Sequence, residues 1–236
     1  MGKAIDIMQE IKKIYDYEAK TYDDRYHGDI HFIEDKIISK FIKRMYSKGK
    51  KVLDLGCGTG HAITLGDIEP EDYIGVDFSQ GMIRTAKEKF PFHTFIEADI
   101  RNIKADFYKK SYDVILALYG QTNYIGMIDT REILRNSKWK HYFFISYSGR
   151  NEADSDYTVQ YQMIPKPESF YYVFRQADIP VSVHGMSLWN ELDRDYIHQY
   201  ETADNPMMRR EKDYKYFLVS NLWKDKEPID WEELEK

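Results

Sequence analysis

Three glycines stand at alternate positions in the stretch VLDLGCGTG, residues 52–60: Gly56, Gly58 and Gly60. They follow an apolar run. Glycines at this density let a backbone approach a ligand where side chains would obstruct it. The usual ligand of such a turn is a phosphate, but the spacing argues otherwise. A dinucleotide turn reads G-x-G-x-x-G, and here the third glycine comes one residue early, because position 61 is His61. A P-loop needs G-K-[ST] after four intervening residues, and that string is missing. A carboxylate, Asp77, ends the next apolar run, IGVDFS, 21 residues past Gly56. That is close to the roughly 20 residues at which an acidic side chain meets ribose hydroxyls. Another carboxylate, Asp99, closes the third run, FIEADI. The set fits a nucleoside ligand whose charge is a zwitterion and not a pyrophosphate.

Residues of these types need a sheet edge to present them. The runs KKVLDLG, DYIGVDF, HTFIEAD, YDVILALYG and HYFFISYSG are short, apolar and rich in β-branched and aromatic residues, so they read as strands. Helical stretches separate them: HAITLGD, GMIRTAKEKF, a charged stretch over 105–109, and IDTREILRNS. This alternation predicts a parallel sheet with helices on both faces. Residues 1–50 read as helical: Ile5, Met8, Ile11, Ile14 and Tyr15, then Ile33, Ile37, Ile38 and Phe41, recur at three- and four-residue spacing around the polar segment KTYDDRYHGD. In the last third, PESFYYVFRQ reads as a helix with Pro167 in its first turn. PVSVHGMSL and KYFLVSNLW read as two more strands, joined by a long charged connection from Trp189 to Lys215. With no repeat and no low-complexity linker, the organisation predicted is one domain over 1–236. It divides into an N-terminal helical lid segment (1–50), a core (51–223) and an acidic tail (224–236).

The 236 residues are enough for one full α/β core. Net charge is −6, so a global basic footprint for nucleic acid is missing. The single cysteine, Cys57, allows no intramolecular disulfide and no cysteine-built metal site, which fits a reducing, cytoplasmic setting. The N-terminal stretch is amphipathic and charged, unlike a signal peptide, and no apolar run approaches the roughly 18 residues that span a membrane. Neither DNA nor a membrane is an expected partner. The 20 tyrosines and 12 phenylalanines suit a half-wet pocket as well as they suit a core.

At this point the sequence resembles the class I, Rossmann-like S-adenosylmethionine-dependent methyltransferases of small-molecule type. VLDLGCGTG resembles their first motif, IGVDFSQGMI their second, EADI their third and YDVILALYG their fourth. The resemblance covers about 22–221. It implies a three-layer α/β sandwich around a seven-stranded sheet of order 3-2-1-4-5-7-6, mostly parallel with the last strand antiparallel. It also implies S-adenosylmethionine as cofactor. On the matching positions, Gly56, Cys57, Gly58 and Gly60 would pass under the methionine moiety and ribose. Asp77 would take the ribose hydroxyls, and Asp54 would steady the loop or the methionine amine. Phe78 and Met82 would pack on the adenine, Asp99 and Ile100 would meet its amino group and ring, and Leu118 would line the site at the fourth strand. The Tyr-rich segment 15–26 resembles the lid of these enzymes, with Tyr15 and Tyr22 closing over the sulfonium by cation–π attraction.

The acceptor side follows the fourth strand, where the chain reads ALYGQTNY. The (Asn/Asp/Ser)-Pro-Pro-aromatic string of amino-methylating DNA enzymes is missing there, as are acidic metal ligands and a Pro-Cys nucleophile. No metal is expected. Tyr119, Gln121, Asn123 and Tyr124 could hydrogen-bond a small polar acceptor, with Tyr119 as a weak catalytic candidate. The segment from Tyr157 to Tyr172 could wall the pocket. A general base near neutral pH would come from His27, His31, His61 or His184, each more simply read as structural. The expectation is methyl transfer to N or O of a small molecule. Its rivals are an RNA or protein acceptor, hinted at by Met208-Arg209-Arg210, and a silent methyltransferase-like subunit of a partner. Oligomeric state is not legible.

Overall fold

The computed structural model describes residues 7–25, 29–102, 110–119, 127–147, 182–187 and 214–220. The predicted helices over 105–109 and 167–176, the candidates Gln121, Asn123 and Tyr124, the wall at 157–172, the connection at 189–213 and the tail lie outside the described residues. The chain divides into two compact units, 1–116 and 117–236.

In the first unit, α1 (Ile7–Glu18) and α2 (Asp29–Met45) precede β1 (Val52–Leu55), α3 (His61–Gly66), β2 (Tyr73–Asp77), α4 (Gln80–Lys89), β3 (Thr94–Glu97) and β4 (Val114–Ala117). Strands β1 to β4 run parallel in the order β3-β2-β1-β4. This is the α/β, Rossmann-like arrangement, in which crossover helices bring successive strands back in one direction. Val52, Leu53, Leu55 and all of β4 are buried, as parallel strands covered on both faces must be.

The helical periodicity holds with a shifted stripe. On α1 the buried position is Ile11, followed on the same face by half-buried Tyr15 and, just past the helix, by buried Ala19, while Ile14 is exposed. On α2 the stripe runs Glu34, Ile38, Phe41, Ile42 and Met45. Helix α2 packs on α3: Ser39 Oγ donates to the Leu65 carbonyl at 2.7 Å, and Ile42 fills the space beside Gly66. At the strands' amino ends, buried Asp72 accepts from Tyr46 Oη (3.0 Å), the Gly49 amide (2.6 Å) and Lys51 Nζ (2.9 Å). One carboxylate thus ties the α2–β1 link to the start of β2. Its ionised form is favoured: burial opposes the charge, and the three donors more than compensate.

In the second unit, α5 (Met127–Asn136) precedes β5 (His141–Tyr147), β6 (Ser182–Ser187) and β7 (Tyr214–Ser220). Strand β7 pairs antiparallel with β5 over seven residues and with β6 over six, giving the order β5-β7-β6. Tyr142, Phe143, Phe144 and Ile145 are buried, and the rings of Tyr142 and Phe144 stack 4.9 Å apart. Trp139 Nε1 donates to the Leu134 carbonyl, fixing the α5–β5 turn. Among the described residues no helix is long and apolar enough to cross a membrane.

Candidate cofactor site

The glycine turn sits where β1 ends. Gly56, Gly58 and Gly60 all have left-handed backbones, with φ of 72°, 53° and 85°. That region is cheap only for glycine, so the spacing is a conformational requirement. A side chain at Gly60 would meet Phe90 at 3.0 Å, whereas one at Gly58 would meet nothing within 4 Å. The turn therefore packs against the protein at its third glycine and leaves open space at its second.

Asp77 ends β2 and is 7% exposed. Its Oδ2 accepts from the Gly58 amide at 3.0 Å, and its Oδ1 accepts from the Ser79 amide at 2.8 Å. The carboxylate thus bridges the glycine turn to the start of α4. Each oxygen keeps a further lone pair for a hydroxyl donor. Burial pushes its pKa up to about 6 against these two amides. Asp54 lies beneath, in β1, where its Oδ2 accepts from Tyr73 Oη at 2.7 Å. Burial, with the Asp77 charge adding to it, raises its pKa to about 7. Asp54 steadies β1 against β2 from inside the sheet. Cys57 is buried, and burial pushes its thiol well above the ordinary range, with Asp77 and Asp54 reinforcing the shift. That is the opposite of an activated nucleophile.

Met82 and Ile100 are buried and Phe78 is half-buried. Tyr15 lies edge-on to Phe78 at 6.2 Å between ring centroids and 6.0 Å from Tyr22, so the three rings form one aromatic group. Asp99 behaves differently from a free adenine acceptor. Arg101 grips both its oxygens, and the Arg101 amide donates to Oδ1 at 3.0 Å. Those bonds hold its pKa low against partial burial. An adenine amino group there has only the remaining lone pairs to use.

Leu118 and Tyr119 follow β4 and belong to the second unit. Leu118 is buried and Tyr119 half-buried. Tyr119 has φ of 52°, a conformation costly for a bulky residue and found where a turn is held for function. His61 Nε2 lies 3.0 Å from both Asp35 oxygens, joining α3 to α2. His184 pairs with Leu218 in the β6–β7 ladder. His27 lies outside the described residues, and of His31 only its place in α2 is described.

Sequence reading missed the residues that hold α1 in place. Asp16 Oδ1 accepts from Ser79 Oγ (2.7 Å) and from the Gly81 amide (2.9 Å). Ser79 Oγ in turn accepts from the Met82 amide, capping α4. Lys12 donates to the Phe78 carbonyl and pairs with Glu97 at 3.1 Å. Past α1, Asp23 accepts from Thr59 Oγ1 and from Lys89 Nζ, both at 2.6 Å. Ser79 was findable as an N-cap three residues before Met82. The Asp16 and Asp23 contacts span 63 and 36 residues and carry no local signal.

A parallel sheet whose first strand runs into a three-glycine turn, and whose second ends in a buried carboxylate bonded to that turn, is the arrangement that the resemblance to class I S-adenosylmethionine-dependent methyltransferases implies. Residues 52–138 match the methyltransferase domain family. The chain is 29% identical over 130 residues to the ubiquinone/menaquinone biosynthesis C-methyltransferase UbiE of Campylobacter jejuni, covering 52% of this chain and 53% of that one. It therefore spans about half the length of the curated relatives it matches first. Its fold is similar to the complex between the Haloferax volcanii Trm112 methyltransferase activator and a methyltransferase (TM-score 0.63, 21% identity, 87% of this chain and 96% of that chain). It is also similar to magnesium protoporphyrin IX methyltransferase from Synechocystis with bound S-adenosylmethionine (TM-score 0.55, 13% identity, 93% and 99%). S-adenosylmethionine is the cofactor of this class. The open space at Gly58 and the buried carboxylate beside it fit the group.

Proposed function

We propose that the chain is an enzyme that transfers the methyl group of S-adenosylmethionine to nitrogen or oxygen of a small molecule, as a single methyltransferase domain working in the cytoplasm. The observation that carries this is the buried Asp77 carboxylate held 3.0 Å from the Gly58 amide of the three-glycine turn. The turn would hold the methionine moiety, Asp77 the ribose hydroxyls, and Phe78, Met82 and Ile100 the adenine. When bound, the cofactor supplies a methyl on a sulfonium, already activated for in-line displacement. The chain's own work is then alignment and exclusion of water. Tyr15 and Tyr22 would close over the cofactor as part of a lid. Tyr119, held in its strained turn, would orient the acceptor or relay a proton at its hydroxyl. Gln121, Asn123 and Tyr124 complete the proposed acceptor set.

A small acceptor is favoured by the acidic charge and by relatives whose names give small molecules, magnesium protoporphyrin IX among them. One relative is named a C-methyltransferase, so carbon is the rival atom. Incubation with methyl-labelled cofactor and a cell extract tests the whole reading. Label in a small molecule, released by chemistry diagnostic of N- or O-methyl, supports it. Label in RNA or protein overturns the acceptor class, and no transfer together with a co-purifying partner favours a silent subunit.

A further inference from the structure

The hydrogen bonds around the glycine turn close into a ring. Asp16 accepts from Ser79 Oγ. The Ser79 amide donates to Asp77 Oδ1, and the Gly58 amide donates to Asp77 Oδ2. Gly58 is bonded to Thr59, and the Thr59 hydroxyl donates to Asp23. Six residues of chain lead from Asp23 back to Asp16. Tyr15 and Tyr22 sit immediately beside the two ends of that return segment, their rings 6.0 Å apart and tilted by 58°.

The fastening is built. Thr59 is 2% exposed and Ser79 is 0% exposed, so their hydroxyls must find partners inside the protein. Asp16 and Asp23 supply them. Both aspartates are held ionised below their ordinary range. For Asp16, burial works against this, and the Gly81 amide, Ser79 hydroxyl and Lys12 charge prevail. For Asp23, burial is likewise outweighed by Lys89 and Thr59. A side chain at Gly81 would strike the Asp16 backbone at 2.6 Å, so α1 rests directly on α4 at this point.

We infer that Asp16 and Asp23 are positioning residues for the cofactor, acting as a two-point clasp through Ser79 and Thr59 on the ribose carboxylate and the glycine turn. The inference rests on the methyltransferase reading for its ligand, but the clasp itself is a property of the chain. The segment 15–23 is fastened at both ends and, between them, at buried Ala19, whose carbonyl accepts from Thr85 Oγ1 at 3.4 Å; loss of either end loosens the run that both ends hold in register. The two residues therefore act as a unit and not as independent contributors.

The test uses the full chain and four variants: Asp16→Ala, Asp23→Ala, the double alanine variant and Asp16→Asn, which keeps an accepting oxygen. Calorimetry with S-adenosylhomocysteine is expected to show each single alanine variant weakened about 10- to 100-fold, the loss of a charge-assisted hydrogen bond. The double variant is expected to be no weaker than about threefold beyond the worse single one. Asp16→Asn is expected to stay within about threefold of the unaltered chain. Multiplying effects in the double variant, or unchanged affinity in both singles, overturns the proposal. If the unaltered chain binds neither S-adenosylhomocysteine nor S-adenosylmethionine, the methyltransferase reading has failed. Amide hydrogen exchange then decides the clasp alone. Residues 15–23 should exchange faster in both single variants while β1 and β2 keep their protection, and unchanged exchange over 15–23 overturns it.

Discussion

In the first unit the buried interior is full of polar groups. Glu34, Asp54, Thr59, Asp72, Asp77 and Ser79 are all buried there, whereas in the second unit Thr130 is the one buried polar residue among those described. The first unit spends hydrogen bonds to hold carboxylates at set points around a turn. Among its described residues, the second is held by the strand ladders of β5, β7 and β6 and by aromatic stacking within β5. The contrast matches the division of labour proposed above, with the cofactor held by the first unit and the acceptor met by residues of the second. A cofactor with fixed ribose hydroxyls calls for fixed acceptors, and fixed acceptors must be buried and bonded. An acceptor that differs from enzyme to enzyme is recognised by shape.

The comparison breaks first at Asp77. Asp77→Ala is expected to weaken S-adenosylmethionine and S-adenosylhomocysteine by about 2–4 kcal/mol, measured by calorimetry. Tight binding of NAD in its place would remove the cofactor assignment. The second test is pH. Asp77 with a pKa of about 6 must be ionised to serve two hydroxyls, so cofactor affinity should fall about tenfold for each pH unit below 6. Stability should move the other way. Asp54 and Asp77 have native pKa values raised above their unfolded ones, to about 7 and about 6, so the native state binds more protons between about pH 4 and 7. Their contribution to stability therefore grows as pH falls through that window. Urea unfolding at pH 7.5 and 5.5, flanking the window's upper part by design, reads the sign. Affinity that stays level across the same window would mean Asp77 is ionised throughout.

These two tests lean on residues that sequence reading found. The glycine turn, Asp77 and the strands β1 to β4 were legible because each is local: a run of three or four residues fixes a φ sign or a strand end, whereas the order of the strands came only with the family resemblance. The fastening of α1 was not. Asp16 and Asp23 look like ordinary helix-surface and turn carboxylates, and only the fold brings them to Ser79 and Thr59. Ile14 was misplaced for a related reason. Apolar spacing on α1 suits two faces, and Gly81 selects the one carrying Asp16 by removing the side chain opposite it.

Smaller effects sharpen the contrast from the acceptor side. Tyr119→Phe should lower kcat about tenfold and leave cofactor affinity unchanged, the pattern of a hydroxyl that aligns or relays. An equal loss of cofactor binding would move Tyr119 into the cofactor's half. His61→Gln should cost less than about 1 kcal/mol in stability, because its pair with Asp35 is partly exposed, and should leave turnover within twofold. A large loss of rate with intact stability would make His61 the base and dissolve the distinction between the halves.

The bare contact at Gly81 bears on how quickly the N-terminal helix can lift and settle. Where α1 meets α4 at Gly81, the Asp16 backbone faces a residue with no side chain, and the side chains to be ordered there are those of Asp16 and Lys12. Closure there would cost the rotamer entropy of few side chains. Reopening is governed by the few hydrogen bonds at Asp16 and Asp23. If the proposed lid opens here, its off-rate would be set by these two carboxylates. Residence time is then the quantity that substitutions in this segment would tune.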